Sequence, residues 1–235
     1  MSGAPPPLDW AAIDLVVFDM DGTLYDARRL RGAMARRLAL DALRTRSLHT
    51  LWVLRVFRQV REELADRARA DVMRAQYALT AQRTGTDEAE VAALVRQWME
   101  QRPLALLHGC RWPRLERLFE ALQAAGKRVA VWSDYPARDK LAALGLRADP
   151  VVCAGDAGIG RLKPDPRGLR AILHATGVPP QRALMIGDRF DRDAAAAQRA
   201  GVRSLVLSRR PPPAGLGQTQ AFADYDDAVF RPLFM

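Results

Sequence analysis

At 235 residues, with 49% hydrophobic and 27% charged side chains, the chain has ordinary globular composition, which excludes disorder. It suits one large domain or a domain carrying an insert, and no apolar run reaches the length of a bilayer-spanning helix. The formal charge is +9 and the pI near 10.4, compatible with nucleic acid, an anionic membrane or anionic small substrates, and decisive for none.

Much of that charge is arginine bias. Only Lys127, Lys140 and Lys163 are lysines, against 33 arginines, so each retained lysine invites a question about its position. The start, Met1 to Leu8, lacks the basic and apolar regions of a signal peptide. Cys110 and Cys153 are far apart and form no CxxC pair. Two reduced, buried thiols in a cytoplasmic protein are expected.

In chain order, Val16-Val17-Phe18 has the length of a buried strand. It runs into Asp19-Met20-Asp21-Gly22, two carboxylates one residue apart followed by a glycine that frees the turn. From about Arg28 to Arg102 the sequence is rich in Ala, Leu, Arg, Glu and Gln, holds no proline, and favours helix throughout. Apolar residues recur there at helical spacing, as in Leu51, Leu54 and Phe57. Three to five helices are expected, with Thr86 as one N-cap and Trp52 and Trp98 on apolar faces.

Past Pro103 the pattern alternates. Leu115–Ala125 reads as a helix, Val129–Trp132 as a strand ending in Ser133-Asp134, and Asp139–Leu144 as a short helix. Val151–Cys153 is a third strand, followed by a loop to Lys163-Pro164-Asp165-Pro166, where Asp165 caps the next helix with Pro166 at its first position. Ala183–Ile186 is a fourth strand ending in Gly187-Asp188, then an alanine-rich helix and a fifth strand, Ser204–Leu207. The tail from Arg209 is proline-rich and then acidic. This alternation predicts an α/β fold: a Rossmann-like, three-layer αβα core with a parallel sheet, and an all-helical cap inserted after the first strand. The expected domains are 1–27 with 103–235 for the core, and 28–102 for the cap.

Ligands in such sheets bind at the carboxyl ends of strands, where Asp19, Asp21, Ser133, Lys163, Asp188 and Asp193 should converge. Buried anions need a cation or strong donors, so the pair Asp19/Asp21 implies a metal, a catalytic pair or both. Plainer roles stand beside these. Ser133 could cap a helix, Lys163 could be a solvated loop charge, and Asp191 and Asp193 could be first-turn acids.

This set and its order resemble the haloacid dehalogenase superfamily, in its phosphoglycolate-phosphatase-like branch with a helical cap. The matching residues are Asp19-Met20-Asp21-Gly22-Thr23, Ser133, Lys163-Pro164, and Gly187-Asp188 through Asp193. The resemblance implies a Mg2+-dependent phosphatase acting on a small phosphorylated metabolite through an aspartyl-phosphate. Asp19 would be the nucleophile and Asp21 the acid and base; Ser133 and Lys163 would bind phosphate and offset its charge. Asp19, Asp188 and the backbone carbonyl at Asp21 would hold the metal, with Asp193 supporting them. Asp134 stands where many relatives carry asparagine.

Within that superfamily, Asp21 disfavours a haloacid dehalogenase, and a cap without lysine disfavours phosphonate cleavage through a Schiff base. A sugar phosphomutase shares Asp21 and remains an alternative; a non-catalytic binding protein has no reason to keep these charges. No nucleic acid partner is expected. The basic, apolar stretch Leu48–Phe57 suits a core-facing cap helix better than a peripheral membrane contact. The cap should choose the substrate through arginines such as Arg31, Arg55 or Arg74.

Overall fold

The structure is a computed structural model that describes residues 7–66 and 72–234. The Ser/Gly/Pro-rich start up to Pro6 lies outside them. Six parallel strands form one sheet in the order β3-β2-β1-β4-β5-β6. They are β1 (Leu15–Phe18), β2 (Arg128–Ser133), β3 (Val151–Cys153), β4 (Ala183–Gly187), β5 (Arg203–Leu207) and β6 (Thr219–Phe222).

Every residue of β1 is buried, because the strand is covered on both faces. Leu15 and Val17 pack on one side with Leu169 and Ile172 of α8 (Arg167–Thr176) and Ala196 and Ala197 of α9 (Ala195–Arg199). Val16 and Phe18 pack on the other with Leu115, Leu118, Phe119 and Leu122, the i, i+3, i+4, i+7 stripe of α6 (Leu115–Ala124). Phe18 and Phe119 stack with centroids 4.8 Å apart. Each such side chain contributes about 1.5–3 kcal/mol on burial. The three layers are those the alternation predicts.

β6 is missing from the sequence reading. Half of its Thr-Gln-Ala-Phe sequence is polar and it lies at the sheet edge, so no apolar run announces it. Tertiary contacts make it a strand: Thr219 Oγ1 and Ser204 Oγ lie 2.8 Å apart, and Phe222 packs on Tyr225 and Phe230.

Between β1 and β2 the chain is helical: α1 (Ala27–Thr45), α2 (His49–Asp66), α3 (Val72–Thr84), α4 (Glu88–Val95), a π-helical turn Arg96–Gln101, and α5 (Leu104–Cys110). Asp26 caps α1 by accepting from Arg28 N and Arg29 N. Asp87, not Thr86, caps α4, its carboxylate accepting from Ala89 N. Pro166 is the N-cap of α8 rather than its first residue, with Asp165 accepting from Arg167 N.

Val53, Leu54, Val56 and Phe57 of α2 are buried, and so is Trp98, as expected. Trp52 is not: it is half exposed, and with Leu40, Leu43 and Leu48 it lies at the turn between α1 and α2. Helical periodicity marks a face as apolar without saying how far the partner helix extends over it. Among the described residues no helix is long and apolar enough to cross a membrane.

α2 is tied to the core by apolar packing of Val56, Val60 and Leu64 with Ala154 and Leu162, and by polar contacts. Arg61, buried, lies over the Tyr135 ring with its Cζ 3.8 Å from the centroid. Glu62 pairs with Arg189 at 3.2 Å and Arg192 at 3.1 Å.

Candidate active site

The chain visits β1, β2 and β3 to one side, then crosses to β4 on the other side of β1. The carboxyl ends of β1 and β4 therefore flank the switch point of the sheet, where a crevice is expected. Asp19 follows β1 directly, its amide donating to Ile186 O at 2.8 Å, and Asp188 follows β4 directly. Register sets Phe18 beside Ile186, so the two carboxylates follow the paired strand ends within one residue of each other.

Lys163 reaches the same point from the loop before α8. Its Nζ donates to Asp19 Oδ1 at 2.5 Å and to Asp193 Oδ1 at 2.8 Å, with the side chain only 2% exposed. Thr23 Oγ1 donates to Asp19 Oδ2 at 3.0 Å. Asp193 Oδ2 accepts from the amides of Asp188 and Arg189 at 3.1 and 3.0 Å, holding the turn after β4. Asp193 is thus more than a first-turn acid of the following helix. Asp191, exposed, pairs with Arg189 outside this cluster.

Ser133 is buried and its Oγ accepts from Tyr135 N at 3.1 Å, so it does cap the turn after β2. That bond uses an oxygen lone pair and leaves the hydroxyl proton free to donate. Asp134 accepts from Lys163 N at 3.0 Å, a bond that needs only a side-chain oxygen and that aspartate supplies as well as asparagine.

Asp21 stands slightly apart. Its Oδ1 accepts from Lys140 Nζ at 2.6 Å and from the hydroxyl of Tyr25. Neither Lys140 nor Tyr25 was identified from sequence as a site residue. The rarity of lysine in this arginine-rich chain was the available signal for Lys140; Tyr25 gave none.

The electrostatics follow from burial. Burial raises Asp19 well above the usual carboxylate range, as do Asp193 and Asp188, while Lys163 opposes them. Burial, then Asp193, pushes Asp188 up to about 7 against Lys163. Burial alone would lower Lys163, but Asp19, Asp193 and Asp134 override it and keep the ammonium charged. Asp21 moves the other way: burial would raise it, yet Lys140 and the Tyr25 hydroxyl hold it below the ordinary range. Burial and Asp21 raise Tyr25, which remains a donor.

Carboxylate oxygens of Asp19, Asp188 and Asp193 lie within 4.8 Å of one another. Three acids against one lysine leave excess negative charge, and the donors are all hard oxygens suited to Mg2+. Both oxygens of Asp193 are already taken, whereas Asp188 accepts no hydrogen bond among the described residues. The Asp21 carboxylate lies outside this group, which leaves its backbone carbonyl as its route to a metal.

A crevice of about 1420 Å3 opens above these groups, lined by Asp21, Asp188 and Lys140 and, from the helices between β1 and β2, by Arg28, Arg31 and Arg58. Of the arginines singled out from sequence, Arg31 lines it. Arg55 and Arg74 are exposed elsewhere.

A parallel sheet whose switch point holds opposed aspartates and a buried lysine, with a helical insert after its first strand, defines a Rossmann-like α/β core. The chain belongs to the haloacid dehalogenase-like hydrolases, whose family pattern matches residues 13–201. It is 36% identical over 219 residues to phosphoglycolate phosphatase of Rhodospirillum rubrum, covering 89% of this chain and 87% of that one. It is 27% identical over 198 residues to glyceraldehyde 3-phosphate phosphatase of Methanothermobacter thermautotrophicus, covering 82% and 84%. Among solved structures it resembles a 2-haloacid dehalogenase from Pseudomonas syringae, with a TM-score of 0.62 and 23% identity over 90% of this chain and 94% of that one. At that identity the likeness speaks to the fold alone.

Proposed function

We propose that the protein is a Mg2+-dependent phosphatase that hydrolyses a small phosphorylated metabolite through an aspartyl-phosphate on Asp19. The observation that carries this reading is the buried Lys163–Asp19 pair at 2.5 Å beside Asp188. It holds a carboxylate immobile and partly neutralised at the mouth of the central strands. Phosphatases among the similar proteins favour the same reading, and Asp21 disfavours chemistry on a carbon–halogen bond.

Asp19 attacks phosphorus in line with the leaving oxygen, which departs with a proton from Asp21. Asp21, then ionised, takes a proton from water, and the hydroxide oxygen attacks phosphorus, releasing phosphate and restoring Asp19. Lys140 and Tyr25 favour the ionised form of Asp21 needed for this second step. An entering phosphate dianion supplies the field that favours its protonation in the first. Lys163 offsets charge on the transferring oxygens, and Ser133 donates to one of them. Asp19, Asp188 and the Asp21 carbonyl would hold Mg2+, which shields the nucleophile from the phosphate it approaches.

Arg31 and Arg58 on the crevice wall favour substrates with a second anionic group, such as phosphorylated acids. The cap spans 28–102, and closing it excludes water from the leaving group. The cytoplasm suits two buried free cysteines. The test is phosphate release from a panel of phosphorylated metabolites, with and without Mg2+. Turnover that needs Mg2+ and falls at least about 1000-fold in Asp19→Asn is expected, since the nucleophile is lost. Release that survives chelator, or full activity in Asp19→Asn, would overturn the reading.

A further inference from the structure

We propose that Lys140, acting together with Tyr25, is the positioning residue for Asp21, an assignment that rests on the phosphatase reading above. Both donors bind the same oxygen, Oδ1: Lys140 Nζ at 2.6 Å and the Tyr25 hydroxyl. Oδ2 makes no hydrogen bond among the described residues. Asp21 and Lys140 both line the crevice, and the Asp21 side chain keeps 28% of its surface open. The proton-transferring oxygen is therefore Oδ2, with Oδ1 as its anchor.

The two donors are rooted independently. Tyr25 is fixed on the turn after Asp21 by bridges to Asp21 and Arg111, and is 4% exposed. Lys140 comes from α7 (Arg138–Ala143), a helix of the core that packs on α5, and is 8% exposed. One donor alone leaves a carboxylate free to rotate about its last torsion. Two donors converging on one oxygen from different elements fix the carboxyl plane, and proton transfer is sensitive to displacements of about 1 Å. The Lys140 ammonium also lies 5.4 Å from the centroid of the Tyr135 ring, and its side chain is only 10% exposed.

Lys140→Met keeps the length of the side chain and removes the donor. On an alkyl phosphate, kcat should fall roughly 10- to 100-fold, part of the ~10²–10⁴ that acid–base catalysis supplies. KM should stay within about threefold, because the anchor does not touch substrate. The loss on p-nitrophenyl phosphate should be smaller, since its leaving oxygen needs no proton and only the water-activating step then uses Asp21. In an Asp21→Asn background Lys140→Met should cost less than about twofold more, since a positioning residue has nothing left to position. Lys140→Arg, which keeps a cation there, should recover part of the rate.

Losses that multiply in the Asp21→Asn background, or a raised KM at constant kcat, would make Lys140 a substrate contact and overturn the proposal. So would an unchanged Lys140→Met enzyme. If Lys140→Met fails to fold by circular dichroism, Tyr25→Phe removes the other donor and is judged by the same criteria. A wild-type protein inactive on every phosphate ester would overturn both readings. An active wild type with indifferent Lys140 and Tyr25 variants overturns this one alone.

Discussion

Gly22 and Asp188 approach so closely that a Cβ on Gly22 would lie 2.1 Å from Asp188 Oδ2. Gly22 also holds φ at +99°, a conformation that side chains rarely adopt. The turn that lifts the chain away from β1 is thus also the floor on which Asp188 rests. Gly22→Ala should cost about 1–3 kcal/mol through backbone strain, and displace Asp188 besides. The expected readout is a melting temperature lower by about 2–12 °C, at roughly 2–4 °C per kcal/mol for a chain of this size. Mg2+-dependent turnover should fall more than about tenfold, and unchanged activity would contradict the shared floor.

Asp188 should destabilise the metal-free protein. Its native pKa of about 7 lies above the unfolded value of about 3.9, so the native state binds more protons between these limits. Stability contributed by this group is then present at low pH and lost as pH rises through about 7. In chelator, Asp188→Asn should melt higher than wild type at pH 8, with the difference shrinking at pH 5. Added Mg2+ should raise the wild type and leave the variant unchanged. Calorimetry at both pH values, with and without metal, checks the sign.

Arginines of the helical insert differ in what they face. Arg31 and Arg58 line the crevice, while Arg55 and Arg74 are exposed away from it. Replacing Arg31 or Arg58 by Gln should raise KM about tenfold for a carboxylated phosphate ester, the value of roughly one charge-assisted hydrogen bond. The same changes should barely affect p-nitrophenyl phosphate. Arg55→Gln and Arg74→Gln serve as controls that should behave as wild type.

Both thiols should be inert in the folded protein. Burial raises Cys153 and Cys110 above the ordinary thiol range, so little thiolate is present at pH 8. Alkylation followed by mass spectrometry should show at least about a tenfold slower reaction in the native state than in denaturant. Rapid labelling of Cys153 would mean that β3 opens readily.

Much of this molecule was legible in its residues. Strand and helix alternation after Pro103, and the apolar run into Asp19, are local signals that packing had no cause to override. Five of the six strands and the convergence of Asp19, Lys163 and Asp188 follow from them, because a parallel sheet places successive strand ends on one edge. The sixth strand carries no such signal: Thr219 and Phe222 become strand residues through Ser204 and Phe230, contacts formed at long range.

What tertiary structure alone decided is how the charges pair. Sequence gives lysines and aspartates their order, but a flexible four-carbon side chain can reach any of several carboxylates. Only the docking of α7 on α5 brings Lys140 to Asp21, and only the loop before α8 turns Lys163 to Asp19 and Asp193. The same holds for the cap. Periodicity marked α2 as amphipathic, yet Val53 is buried, Trp52 half exposed and Arg58 faces the crevice, because each position depends on where the neighbouring element ends.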